Sequence, residues 1–119
     1  MGNISSKLEH PLELRCQQFA KEVRSFCRML KHDIENVEDI RQLVRSSGSV
    51  GANYIEANEN LGTQDFKMRL KISRKEAKES VFFLELLETF GNSELQKVQN
   101  HLSDEANQLK KIFSSMLLK

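Results

Sequence analysis

From Leu12 to Met116 the apolar residues of this chain recur at steps of three and four, and its single proline, Pro11, stands just ahead of them. No other feature restricts the fold as much. Steps of three and four keep side chains on one face of an α-helix, whereas a strand needs steps of two. One proline, five glycines and one tyrosine in 119 residues are also too few for the many turns of an all-β protein.

Four stripes can be traced. Pro11 suits the first turn of a helix, where its missing N–H costs nothing, and Leu12, Cys16, Phe19, Ala20, Val23, Phe26, Cys27 and Leu30 follow on one face. Asn36 is the expected cap of the second helix. Its seam, Val37, Ile40, Val44, Ser47, Gly51, Tyr54 and Asn58, alternates three and four as in a coiled coil, and Gly62 is expected to end it in a left-handed cap. Thr63 is the expected cap of the third helix, with Asp65 in its first turn. Phe66, Leu70, Ala77, Val81, Leu84 and Glu88 share a face before an expected stop at Gly91. Ser93 and Gln96 form an expected capping box for the fourth, whose stripe is Leu95, Val98, Leu102, Ala106, Leu109, Ile112 or Phe113, and Met116. Short corners between long helices make successive helices antiparallel neighbours. The expected fold is therefore all-α: an antiparallel, up-down-up-down four-helix bundle over residues 11–119, after a flexible leader at 1–10.

One stretch resists this reading. "SSGSVGANYIEA", residues 46–57, is rich enough in glycine and serine for a loop, and its GSVG resembles a backbone-clamping G-x-x-G turn. The seam nevertheless runs straight through it. No capping residue or lysine follows the glycines, which excludes a Walker-type phosphate loop. Two glycines inside a helix cost about 2 kcal/mol relative to alanine, a cost that makes sense where another backbone comes too close for a β-carbon. Ser47, Gly48, Gly51, Ala52 and Tyr54 are thus expected at a close helix contact.

The third helix carries two further patterns. Between Lys67 and Lys78 there are six basic residues and one acidic, a local charge of +5. Lys67, Lys71, Arg74 and Lys78 fall within about 60° on the helical wheel, with Lys75 beside them. Like charges at i,i+4 repel, so such a stripe either binds an anion such as a nucleic-acid backbone or is offset by carboxylates such as Glu94, Asp104 or Glu105. Arg41 and Arg45 on the second helix are weaker candidates for the same role. In addition, Met68, Ile72, Phe82, Phe83 and Leu86 lie off the core stripe, more apolar surface than a monomer leaves in water. An interface between copies of the chain is the first expected explanation, and contact with a membrane or another partner the next.

Other classes are disfavoured. The 18 Lys+Arg and 17 Asp+Glu nearly cancel, so any nucleic-acid affinity has to come from a local patch. No stretch approaches the ~20 apolar residues of a membrane span. Cys16 and Cys27, 11 residues apart on one helix, are ~16 Å apart, too far for a disulfide. They read as buried thiols of a cytoplasmic protein. His10, His32 and His101 have no partners at metal-ligand spacing, and the inward Glu-x-x-His motif of di-iron bundles is missing. No enzyme activity, metal or cofactor is expected. The opening MGNISS fits the loose pattern for N-myristoylation, with an unmodified leader as the plainer reading.

"RSSGSVGANYIEANE" followed by "DFKMRLKISRKEAKESVFFLELL" resembles the bacterial four-helix-bundle proteins first noticed in intervening sequences within large-subunit ribosomal RNA genes. It is also similar to the accessory variability protein of diversity-generating retroelements. The match is closest over residues 45–87. The resemblance implies a ring-like homopentamer and, for the retroelement relatives, binding of nucleic acid and a reverse transcriptase through basic surface. It places Lys67, Lys71, Arg74, Lys75 and Lys78 in the family's basic third-helix region, and Gly51, Ala52, Asn53, Tyr54 and Glu56 in its structural signature. Two features depart from the pattern: the overall charge is nearly neutral, and the aromatic pair is Phe82-Phe83 without tryptophan or tyrosine. The expected function is a non-enzymatic, homo-oligomeric accessory protein that binds RNA or DNA. The alternative is a protein-interaction or scaffolding module without nucleic-acid affinity.

Overall fold

The chain's fold is given by a computed structural model that describes residues 10–119. Helices α1 (Pro11–Met29), α2 (Ile34–Asn58), α3 (Thr63–Leu86) and α4 (Ser93–Leu117) pack in a closed cycle in which α2 and α4 each touch both α1 and α3. Contacts between them run in opposite senses along each pair. Arg15 meets Glu105 while Glu22 meets His101, and Arg69 meets Asn53 while Ser80 meets Ser46. The bundle is therefore antiparallel and up-down-up-down. The expected leader, and with it the myristoylation pattern, falls outside the described residues except for His10.

The helix ends differ from the expectations by small shifts, each with an identifiable cause. Pro11 does open α1, capped by His10, whose Nδ1 accepts the Leu12 N–H at 3.2 Å. Asp33, not Asn36, caps α2, accepting the Asn36 N–H at 2.9 Å. Asn36 is thereby one turn inside and buried. Its Nδ2 donates to the carbonyls of Lys31 (2.9 Å) and Glu88 (3.0 Å), and its Oδ1 accepts the Glu88 N–H at 3.0 Å. Gly62 does not close α2, which ends four residues earlier with Asn60 Nδ2 donating to the Ala57 carbonyl. Gly62 instead precedes α3 at φ +139°, so Thr63 is the first helical residue and not its cap. Gly91, at φ +78°, belongs to the corner after α3, not to its last turn. The end of α3 is closed from outside: Gln99 Nε2 donates to the carbonyls of Leu84 (2.7 Å) and Leu87 (2.9 Å). Asn92 caps α4 in place of the Ser93–Gln96 box.

The core holds Phe19 and Phe26 from α1, Leu43 and Val50 from α2, Leu70 and Leu84 from α3, and Leu102, Leu109 and Phe113 from α4, all essentially inaccessible. In α2 the expected seam is widened toward α3. Its Ser47, Gly51 and Tyr54 are buried, but so are Leu43, Val50 and Ala57 beside it, whereas Val37, Ile40 and Val44 are half-buried and Asn58 is exposed. The physical reason is that α2 packs against α3 along most of its length as well as against α1, so its buried arc turns toward α3. Along that contact small hydroxyls replace bulk: Ser46 and Ser80 share a hydrogen bond at 2.9 Å, and Ser73 donates to the Val50 carbonyl at 2.9 Å.

Candidate nucleic-acid interface

The i, i+3, i+4, i+7 spacing of Lys71, Arg74, Lys75 and Lys78 sets four cations along the flank of α3 that faces α4. They line a cleft of about 460 Å³ together with Lys110 and Ser114 of α4. Lys67 is exposed one helical turn earlier. Among the described residues none of these six basic side chains lies within ion-pair distance of a carboxylate. None of the three acids expected to offset the stripe pairs with it. Glu105 binds Arg15 at 2.7 Å, a hydrogen bond that raises the arginine's pKa above its usual value, and Glu94 is 3.6 Å from Lys97 on its own helix. Asp104 lines a different cleft. Lys110 was not identifiable from sequence, because only the register of α4 against α3 brings it to the stripe.

The other arginines are placed differently. Arg45 is bound to Glu79 and, at 3.3 Å, to Glu76, whose side chain is almost fully buried between α2 and α3. The hydrogen bond to Glu76 leads the effects that raise its pKa. Its charge is thus matched by two carboxylates. Arg41 is exposed on α2, on the other flank of α3. The structure brings neither into the cleft. Arg69 also turns to α2, donating to Asn53 Oδ1 at 3.1 Å.

On the side of α3 away from the core, Met68, Phe82 and Leu86 are 47%, 58% and 45% exposed. Ile72 is half-buried on the same side. Phe83 leans onto the core and meets Phe82 edge-to-face at 5.1 Å, so it supports the patch more than it forms it. Leu86 continues into a cleft with Ile34 that is rimmed by Glu35, Glu38, Asp39 and Glu88. The outward face of α3 thus combines apolar side chains with an acidic end.

The glycine stretch lies in mid-helix, as its seam spacing requires. A β-carbon on Gly51 would stand 3.0 Å from Cys16 Cβ and 3.7 Å from the Cys16 carbonyl carbon, so α1 and α2 approach most tightly there. Gly48 faces only the tip of Arg24, at 3.2 Å. Ser47 is buried and donates to the Val44 carbonyl. Ala52 is exposed and lies outside the tight contact, at the rim of a shallow cleft with Ala20 and Ile55. Tyr54 is buried against Phe113, with ring centroids 5.6 Å apart, and its hydroxyl lies 3.3 Å from His10 Nε2. Both cysteines are free and buried. Loss of hydration pushes the Cys16 thiol up to about 12 and the Cys27 thiol up to about 11.

Among the described residues no three His, Cys, Asp or Glu side chains are grouped to hold a metal ion. Among the described residues, likewise, no helix is long and apolar enough to cross a membrane.

The comparisons with known proteins agree with this architecture. No curated protein matches the chain. A crystal structure of a protein with unknown function from the S23 ribosomal protein family of Bacteroides thetaiotaomicron superposes with a TM-score of 0.78. The two chains are 24% identical, and the match covers 90% of this chain and 98% of the other, so the likeness is one of fold. The sequence model of the 23S rRNA-intervening sequence protein family matches residues 14–115, from the first turn of α1 to the last turns of α4. The chain belongs to the 23S rRNA-intervening sequence protein family.

Proposed function

We propose that this protein is a non-enzymatic homo-oligomer, a pentamer in the form its resemblance implies, that binds RNA or DNA through the basic cleft between α3 and α4. The observation that carries this reading is a set of cations held together without counter-charge. Lys71, Arg74, Lys75, Lys78 and Lys110 share one cleft while nearby carboxylates bind other partners. Phosphates of a nucleic-acid backbone relieve that repulsion and release counterions on binding. Assembly multiplies the patch, so that a chain of net charge +1 presents strongly basic zones.

The apolar outer face of α3 supports self-association and favours a second reading, in which assembly alone is the function and the cleft stays hydrated. That reading includes a polymerase-type protein partner such as a reverse transcriptase. Fluorescence anisotropy with a labelled structured RNA separates the two. The nucleic-acid reading expects binding at low salt that is lost when Lys71 and Arg74 are replaced by Glu in a folded protein. Absence of binding, or indifference to the replacements, favours the scaffold.

A further inference from the structure

A second cleft follows the basic one along the same α3–α4 flank. Beyond Lys110, toward the start of α4, the same flank carries Asn107, Ser103, Asn100 and Gln99. With Asp104 and with Glu85 of α3 they line a second cleft of about 500 Å³. Because α3 and α4 are antiparallel, the two clefts lie end to end. Asn100 to Ser114 spans 14 residues of helix, about 21 Å at 1.5 Å per residue, enough for several nucleotides of an extended strand.

The two halves offer opposite chemistry. Lysine and arginine are donors only, whereas Asp104 and Glu85 are acceptors only and repel phosphate. Asn100 and Asn107 offer both donors and acceptors, and among the described residues neither uses its side chain in a hydrogen bond within the chain. Ser103 is the second independent feature. It is 9% exposed, and its hydroxyl is buried with no hydrogen-bond partner among the described residues. Other buried serines of the bundle do have partners: Ser46, Ser73 and Ser80 all bond across or along the helices. A buried hydroxyl left unpaired is destabilising, so Ser103 marks a place where an incoming polar group completes the structure.

Resting on the nucleic-acid reading above, we infer that the Asn100–Asn107 end of the groove reads unpaired bases of a single strand, with guanine preferred, while the Lys71–Lys78 end holds the backbone. Carboxylates exclude phosphate from this end and accept hydrogen bonds from base edges instead. Guanine is the base whose Watson–Crick edge presents two adjacent donors, N1–H and the N2 amine, which match the two oxygens of one carboxylate. That edge is free only in unpaired strands.

The test uses fluorescein-labelled 12-mers of oligouridine, each carrying one central guanine, inosine or uracil, made as RNA and as the matching DNA. Inosine keeps N1–H and lacks the N2 amine. The guanine strand is expected to bind about tenfold more tightly than the inosine or uracil strand. In Asp104→Asn with Glu85→Gln, guanine affinity falls and uracil affinity holds or rises, because negative charge has been removed next to the backbone. A purely structural effect lowers both together. Equal binding of the three strands, or a guanine preference that survives the double replacement, overturns the inference and leaves the backbone cleft standing. No binding by any strand while a structured RNA still binds overturns the inference; no binding by the strands or by a structured RNA at low salt overturns the nucleic-acid reading itself. RNA and DNA forms binding alike assigns recognition to the bases; tighter binding of all three RNA strands than of their DNA forms, with no guanine preference among them, overturns it in favour of a 2′-hydroxyl contact.

Discussion

At the scale of single residues, Gly48 and Gly51 separate by what stands opposite them. Gly51 faces the Cβ and backbone of Cys16, which are fixed to α1. Gly51→Ala therefore trades about 1 kcal/mol of helix propensity against overpacking of about 1–3 kcal/mol, and the expected result is net destabilisation. Gly48→Ala meets only a movable guanidinium tip, so it is expected to be neutral or stabilising by up to about 1 kcal/mol. Urea denaturation of the two variants checks the opposite signs. The buried thiols give a second prediction. An acid whose pKa is raised in the folded state contributes its full stability below the unfolded pKa and loses it as pH climbs toward the folded one. Stability is thus expected to fall between about pH 9 and 12, the ordinary thiol value and the value at Cys16. Replacing both cysteines by alanine flattens that decline in a pH series of melts. The close packing was legible in sequence because an uninterrupted seam through two glycines has few other meanings. Which glycine touches backbone was not, since that depends on the axial position of α1 against α2.

At the scale of helices, periodicity disclosed the elements, and their ends were the part most easily misread. Two misplaced caps had a rival of similar chemistry nearby: Asp33 before Asn36, Asn92 before Ser93. Local sequence does not choose between residues so alike, and at Asn36 the choice follows from a long-range role that only the fold supplies. Asn36 is the clearest case. Its three hydrogen bonds tie the α1–α2 corner to Glu88 beyond the end of α3. Asn36→Ala is expected to cost about 2–4 kcal/mol, from lost hydrogen bonds and backbone groups left unpaired in a buried site. Asp33→Ala, which removes a cap alone, is expected to cost about 1 kcal/mol. Chemical denaturation that ranks them the other way would show that the corner is not held from α3. Similarly, the basic stripe was readable along α3, but its partner Lys110 and the departure of Arg45 to Glu76 and Glu79 were set by interhelical register.

At the scale of the whole molecule, one chain carries an apolar outer face on α3 and a basic cleft beside it, and the two features are expected to act together. Covering the exposed halves of Phe82 and Leu86 contributes about 1.5–3 kcal/mol per interface, with Met68 and Ile72 adding to it, so light scattering at micromolar concentration is expected to give a multiple of 13.8 kDa. Phe82→Glu with Leu86→Glu is expected to return the mass to 13.8 kDa with helicity retained. The salt dependence of binding reports on how the cleft holds a nucleic acid. For RNA held by phosphate contacts, log Kobs falls linearly with log salt, and each contact removed flattens the slope by about 1. The measurement is anisotropy across a salt series for the wild type and for Lys71→Ala with Arg74→Ala. The wild-type slope is expected to be steep, and the double replacement to reduce it by about 2 while the fold and the oligomer persist. An unchanged slope in the variant, or no binding by the wild type at low salt, would contradict this reading of the cleft.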